Sequence, residues 1–378
     1  MAMDDTASPE HVSQALLDRA NELGETGRFD EALALYEEVI QWFGGTMIPA
    51  VRLQVLRALV NKALALVQLD RPEDTLAACN EALRQFGGSN DAKLREGMAR
   101  VLLYKCVALG QLGLPEEGVA VCDEAFRRLE GATELVQREL LSEALLRKAV
   151  FLRFLGRAEE ALPVHDELVR RFSNDAEAEL RMQAARSLMF KASLLGKLGR
   201  NEESMAAFEE VDRRFGGEHA LDLRVEVARA LVCRAELLGQ LQRMDEALAG
   251  FDDVVRRFAG ATEPALRERV SNALNSAGFA LLREAKRLWP RQRERALVLL
   301  QQARERVEAT LDRRPGEPLA LGNAGYIAFL QGRREEARSL LAEALRLGGE
   351  SVRETELQDA GIHPIPEDEE FRALLHSL

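Results

Sequence analysis

Residues 191–208 read KASLLGKLGRNEESMAAF. Leu180, Ala184, Leu188, Ala192 and Leu195 fall three or four apart, which predicts a long helix from Ala176 to Leu198 with its N-cap at Asn174 or Asp175. Gly199-Arg200 breaks that helix, and a shorter one follows from Asn201 to Phe215, where Gly216-Gly217 ends it. Ala192 and Ser204, one on each helix, are small enough to let the two axes approach at the close end of the usual 8–10 Å range.

The same hairpin returns along the chain. Phe43, Phe86, Leu129, Phe172, Phe215 and Phe258 stand 43 residues apart. The small residues keep that register: Ala32, Thr75, Gly118, Ala161, Ser204 and Ala247 on second helices, and Ala20, Ala63, Cys106, Ala149, Ala192 and Ala235 on first helices. Strand-like alternation is absent, so the chain is predicted to be all-α. Each hairpin leaves an apolar face that only the next can cover, so the units stack in a row.

Residues 191–208, and the stretch LGNAGYIAFLQGRREEA from Leu321 to Ala337, resemble the tetratricopeptide repeat (TPR). That family has small residues at its eighth and twentieth positions and glycine at its fifteenth. The unit here exceeds the family's roughly 34 residues by about two and a half helical turns, which lengthen the first helix at its N-terminal end. The resemblance spans roughly residues 12–348 and implies a right-handed α-solenoid of about eight hairpins with a C-terminal capping segment. Its expected divisions are a flexible N-terminus (1–10), the solenoid (11–348) and a linker with a capping helix (349–378). Repeats end near 45, 88, 131, 174, 217, 260, 316 and 348. In the seventh, Gly278 and Ala296 lie 18 rather than 12 apart, so an insertion near Trp289-Pro290-Arg291-Gln292 is expected to lengthen the turn. Phe371, Leu374 and Leu375 read as a lid over the last open face.

Composition narrows the function. With 47% apolar and 30% charged residues, the 378-residue chain is globular rather than disordered. Its net charge of −12 argues against nucleic acid as partner. No apolar run approaches the roughly 20 residues of a membrane span, and the N-terminus lacks a signal peptide. A cytoplasmic protein is expected, and the excess of arginine over lysine suits a GC-rich bacterial genome. No motif for nucleophilic, metal-dependent or nucleotide chemistry is present, so no catalytic residue, metal or cofactor is expected, and the chain is not read as an enzyme. His165 stands where other units carry Tyr36, Cys79, Cys122, Phe208 and Phe251, which makes it a packing residue. Cys79, Cys106 and Cys122 likewise occupy packing positions.

Three polar ladders share the period. Acidic pairs from Asp30-Glu31 to Asp245-Glu246 open the second helices, where the macrodipole favours negative charge. Arg52, Arg95, Arg138, Arg181, Arg224 and Arg267 suit ion pairing between repeats or hydrogen bonds to carbonyls. Arg57, Arg100, Arg186 and Arg229, interrupted by Glu143 and Asn272, hold the family's second position, which the resemblance places in a concave groove. Surface solvation and ligand binding both account for this ladder. Gly24, Gly110, Gly196 and Gly239 share the twelfth position, which suggests close approach by a neighbouring helix or a partner's backbone.

The same carry-over gives Asn61, Tyr104, Arg147, Phe190, Asn275 and Tyr326 as further groove residues. Together with the four arginines they form the expected partner-binding surface, suited to an acidic protein or peptide segment with apolar anchors. The function expected is a protein–protein interaction scaffold or adaptor. The alternative is a regulatory subunit for an enzyme or transcription factor carried on another chain.

Overall fold

A computed structural model describes residues 8–378 apart from Asn90. The described residues form helices joined by short turns, and their contacts divide the chain into two compact units, the first ending at Ser187 and the second beginning at Leu188. The first unit contains α1 (Pro9–Glu25), α2 (Phe29–Phe43), α3 (Pro49–Gln68), α4 (Pro72–Phe86), α5 (Ala92–Gln111), α6 (Pro115–Leu129), α7 (Leu135–Phe154) and α8 (Ala158–Phe172). The division falls within α9 (Ala178–Lys197). The second unit continues with α10 (Asn201–Phe215), α11 (Leu221–Gln240), α12 (Met244–Phe258), α13 (Pro264–Leu288) and α14 (Arg293–Arg313). It closes with α15 (Pro318–Leu330), α16 (Arg334–Ala360) and α17 (Glu367–Ser377).

Within each unit a first helix packs on its own second helix, on the next first helix, and, through the second helix, on the following hairpin. The small-residue pairs sit at the crossings. Ala20, Ala32, Ala63, Thr75, Cys106, Ala235 and Ala247 have no exposed surface. A Cβ on Gly118 would meet Phe151 at 2.5 Å, one on Gly278 would meet Val307 at 2.6 Å, and one on Gly325 would meet Leu341 at 2.7 Å. At these crossings side-chain volume sets the interhelical distance.

The turn between the two helices of a hairpin is a repeated C-cap. The amide of Arg28 donates to Leu23 O at 2.8 Å, Arg157 to Leu152 O at 2.9 Å and Arg200 to Leu195 O at 2.9 Å, the long bond of a Schellman motif. The residue before each arginine is left-handed: Gly27 at φ 76°, Gly156 at 69° and Gly199 at 73°. In two repeats the same position holds Asp70 (φ 54°) and Gln242 (φ 62°), which accept a conformation that favours glycine.

Four expectations change. Residues 1–7 of the expected flexible terminus lie outside the described residues, but helix already begins at Pro9, where Ser8 accepts a hydrogen bond from the His11 amide at 3.3 Å. The extra length of the seventh hairpin enters the helices rather than the turn, α13 running 25 residues and α14 21 residues where α11 and α12 have 20 and 15. The first part of the expected linker segment is helical as far as Ala360, with a kink at Gly349 (φ 61°), and the non-helical linker is confined to residues 361–366, where the sequence Gly361-Ile-His-Pro-Ile-Pro366 suggests a kinked connection. Val352, Glu356 and Ala360 form the buried stripe of the helical part, and the acidic residue in the middle disguises the apolar periodicity. Finally, the helical glycines at the twelfth position are not squeezed. A Cβ on Gly24 would lie 3.8 Å from Tyr36, one on Gly196 3.5 Å from Ser204 and one on Gly239 3.8 Å from Ala247, which are ordinary contacts.

The C-terminal helix is fastened to α13 and α15. Phe371 stacks on Tyr326 with ring centroids 4.0 Å apart and meets Phe329 edge-on at 5.3 Å. Phe371 and Leu375 are fully buried. Trp289, at the end of the lengthened α13, donates from Nε1 to Glu367 at 3.0 Å, so the extension reaches the cap.

Candidate functional site

The first helices of the first unit present the expected surface between α3 and α5. Arg57 and Asn61 on α3 and Arg100 and Tyr104 on α5 share one cleft of about 540 Å³. Leu53, Val60 and Leu64 give it an apolar floor, and Lys93 and Glu96 stand at its side. Helical spacing explains the grouping: residues four apart on each helix lie on one face. Arg100 pairs with Glu96 at 3.2 Å, whereas Arg57 and Lys93 have no carboxylate partner among the described residues. Three cations therefore surround one carboxylate, in a chain whose net charge is −12. Burial raises the Tyr104 phenol above its ordinary range against the opposing pull of Arg100. Tyr104 therefore acts as an uncharged ring with a hydroxyl. The Asn61 amide donates to Asn21 Oδ1 at 2.8 Å, and that oxygen also accepts from the Tyr36 hydroxyl at 2.9 Å, which fixes the back of the cleft.

The remaining expected residues divide. Arg147 pairs with Glu143 on its own helix at 2.6 Å and lies outside this cleft. Arg186 and Phe190 are exposed on α9, Phe190 to 52%. In the second unit, Arg229 on α11 and Asn275 on α13 line a separate cavity of about 300 Å³. Asn275 Oδ1 accepts from Asn323 at 3.1 Å. Tyr326 does not belong to an open surface. It is 1% exposed beneath Phe371, and its hydroxyl donates to Asp368. The repeat pattern carried Tyr326 to the groove face, and the C-terminal helix covers that face in the last hairpin.

Several lining residues carry no sequence signal. Lys93, at the α5 N-terminus, and Arg269 and Arg314, beside the second cavity, belong to no ladder. Their place depends on how adjacent helices meet, which a repeat pattern does not encode.

The other two ladders are structural. The second residue of most acidic pairs is clamped by the arginine of the preceding turn: Arg28 to Glu31 at 2.6 Å, Arg71 to Asp74 at 2.7 Å, Arg200 to Glu203 at 2.7 Å and Arg243 to Glu246 at 2.7 Å. The hydrogen bond from Arg28 holds the Glu31 carboxyl below its ordinary value. In the long-helix ladder, Arg138 pairs with Asp175 at 3.1 Å and Arg224 with Glu263 at 3.1 Å, each reaching the start of the next repeat. Arg181 donates to the carbonyls of Asp175 and Ala176 at 2.8 and 2.9 Å.

Reactive groups are held in unreactive states. Burial pushes the Cys79 thiol up to about 12, and Cys106 and Cys122 are enclosed with their sulfurs 3.3 Å apart. His165 is 6% exposed, with Nδ1 2.8 Å from the Ser187 hydroxyl. Among the described residues no three His, Cys, Asp or Glu side chains converge as a metal site. No described helix is long and apolar enough to cross a membrane.

Stacked hairpins with small residues at every crossing agree with comparisons against known proteins. One tetratricopeptide repeat family model matches residues 17–90 and 299–351, and a second matches 185–214. The chain is a tetratricopeptide repeat protein. No curated protein sequence matches it. Its fold is similar to that of RapI in the apo form, with a TM-score of 0.53 at 10% identity, covering 97% of both chains. It is also similar to a signal-transduction ATPase with a tetratricopeptide repeat sensor from Pyrococcus horikoshii, with a TM-score of 0.52 at 14% identity over 94% of this chain. This TPR protein spans 55% of the length of that ATPase. A tetratricopeptide repeat protein from Parabacteroides merdae aligns at a TM-score of 0.41 and 15% identity, over 80% of this chain and 98% of that one.

Proposed function

We propose that this TPR protein is a non-enzymatic scaffold that binds an acidic segment of another protein through the first-helix face of its first unit. The observation that carries this reading is the α3/α5 cleft, where Arg57, Lys93 and Arg100 surround an apolar floor. Long-range attraction brings an acidic segment to such a surface, while Val60, Leu64 and Tyr104 supply area for its apolar side chains. The helices are already packed, so ordering cost falls mainly on the partner.

The test is selection from a displayed library of random peptides. The wild-type protein should enrich sequences with acidic residues beside leucine or aromatic residues. The Arg57→Glu/Arg100→Glu variant should fold normally and lose that enrichment. Selection of the same peptides by both proteins would overturn the assignment of the cleft. A partner identified from the enriched motif then separates scaffold from regulatory subunit, because its own activity is measured with and without the TPR protein.

A further inference from the structure

The second unit contains a polar cavity on the same register of first helices, bounded by α11, α13 and the α14–α15 junction. Its volume of about 300 Å³ lies at the lower end of the range for small-ligand sites. Arg229, Arg269 and Arg314 converge on it, with Glu236 and Glu317 as the opposing charges. Both carboxylates are engaged: Glu236 accepts from the Ser276 hydroxyl at 2.7 Å, and Glu317 pairs with Arg314 at 2.7 Å. Arg229 and Arg269 are held loosely, by Glu226 at 3.5 Å and Glu268 at 3.4 Å.

Unspent donors remain in the lining. Ser271 is 1% exposed, and neither its hydroxyl nor the buried Nε of Arg269 has a partner among the described residues. The side chain of Asn272 has no partner among the described residues, and Asn275 uses its oxygen on Asn323, which leaves its amide hydrogens free. A buried polar group without a partner carries an unrecovered desolvation cost, which an incoming acceptor offsets.

We infer that this cavity is a binding site for a monoanionic carboxylate, held by Arg229, Arg269 and the Asn272 and Asn275 amides. Planar guanidinium and amide donors match a planar carboxylate in pairs. With Glu226 and Glu268 counted beside the two lining glutamates, the carboxylates outnumber the three arginines by one, which disfavours a dianion such as phosphate more strongly than a monoanion. The site lies wholly in the second unit and does not depend on the α3/α5 cleft.

Titration calorimetry on the full chain tests it with three probes. They are N-acetylvaline, a heptapeptide with capped termini and one central aspartate, and inorganic phosphate. At least one carboxylate probe should bind about tenfold or more tightly than phosphate, and Arg269→Gln should weaken it by a similar factor. Ser271→Ala should keep the wild-type melting temperature and weaken binding several-fold, and Arg57→Glu/Arg100→Glu should leave it unchanged. Binding of both carboxylates would make a free small acid a sufficient ligand, and binding of the peptide alone would make the ligand an acidic side chain of a bound segment. Phosphate matching the carboxylates, no binding by either carboxylate, or Arg269→Gln binding as wild type would each overturn the proposal. Should Arg269→Gln fail to fold, Asn272→Ala takes its place with the same expected loss.

Discussion

Lys286 on α13 and Asp368 on α17 form an ion pair at 3.1 Å, with side chains 1% and 3% exposed. The ammonium also donates to the carbonyls of Asp359 and Ala360, at 3.3 and 3.1 Å. The carboxylate accepts from the Tyr326 hydroxyl and from the Ile365 amide, at 2.8 Å for the latter. Each charge therefore has a complete set of partners in a place where neither reaches water. This is the polar lock that holds the C-terminal helix over Tyr326.

Removing one member of such a pair leaves the other buried without its counter-charge. Lys286→Met should destabilise the C-terminal hairpins by about 3–5 kcal/mol, and Lys286→Met/Asp368→Asn should regain part of the loss. Urea unfolding followed by the fluorescence of Trp289, which contacts Glu367, reads this region directly in a Trp42→Phe background.

The left-handed turn position gives a second expectation. Gln242 adopts φ 62° where Gly27, Gly113, Gly156 and Gly199 stand in sister repeats. Gln242→Gly should stabilise the protein by up to about 1 kcal/mol, the relief of left-handed strain exceeding the added chain entropy of glycine. Thermal melting of the two proteins side by side checks this.

Helical glycines should answer to their surroundings. Gly24→Ala and Gly239→Ala add a methyl group in ordinary contact with its neighbours and should each stabilise by about 0.5–1 kcal/mol. Gly118→Ala drives its Cβ into the Phe151 ring and should destabilise by about 1–3 kcal/mol. Stability curves in urea for the three single variants distinguish these signs.

Glu356 sets a pH dependence. Burial, with Asp359 beside it, raises its carboxyl from 4.5 to about 8, and a Cβ on Gly322 would collide with it. Between those values the folded chain keeps a proton that the unfolded chain releases, so stability falls as pH rises through that window. Asp359, raised by burial to about 6 against the pull of Lys286, adds to the same slope at its lower end. Glu356→Gln should raise the melting temperature at pH 8 more than at pH 5. Equal gains at both pH values would assign the effect to packing alone.

Much of the fold was legible because its determinants are local. Gly199-Arg200 marks a turn within a few residues, and Ala192 and Ser204 mark a crossing within one hairpin. The candidate cleft was half legible: Arg57, Asn61, Arg100 and Tyr104 follow from the repeat register, while Lys93 does not. The clamp of most acidic pairs by the preceding arginine has no separate sequence signal although the two residues lie three apart, because charge at a helix start already has a sufficient explanation in the macrodipole.

By itself the sequence determined the helices, their period, the turns and the crossings, since each depends on residues within one hairpin or its neighbour. Only the tertiary structure decided that Tyr326 is covered by Phe371, that Trp289 belongs to the C-terminal cap, and that Arg229, Arg269 and Arg314 meet in one cavity. Those outcomes bring together side chains some 40 to 85 positions apart, from helices of irregular length. A periodic pattern fixes which face of a helix is buried. What finally covers that face is set by packing across the whole unit.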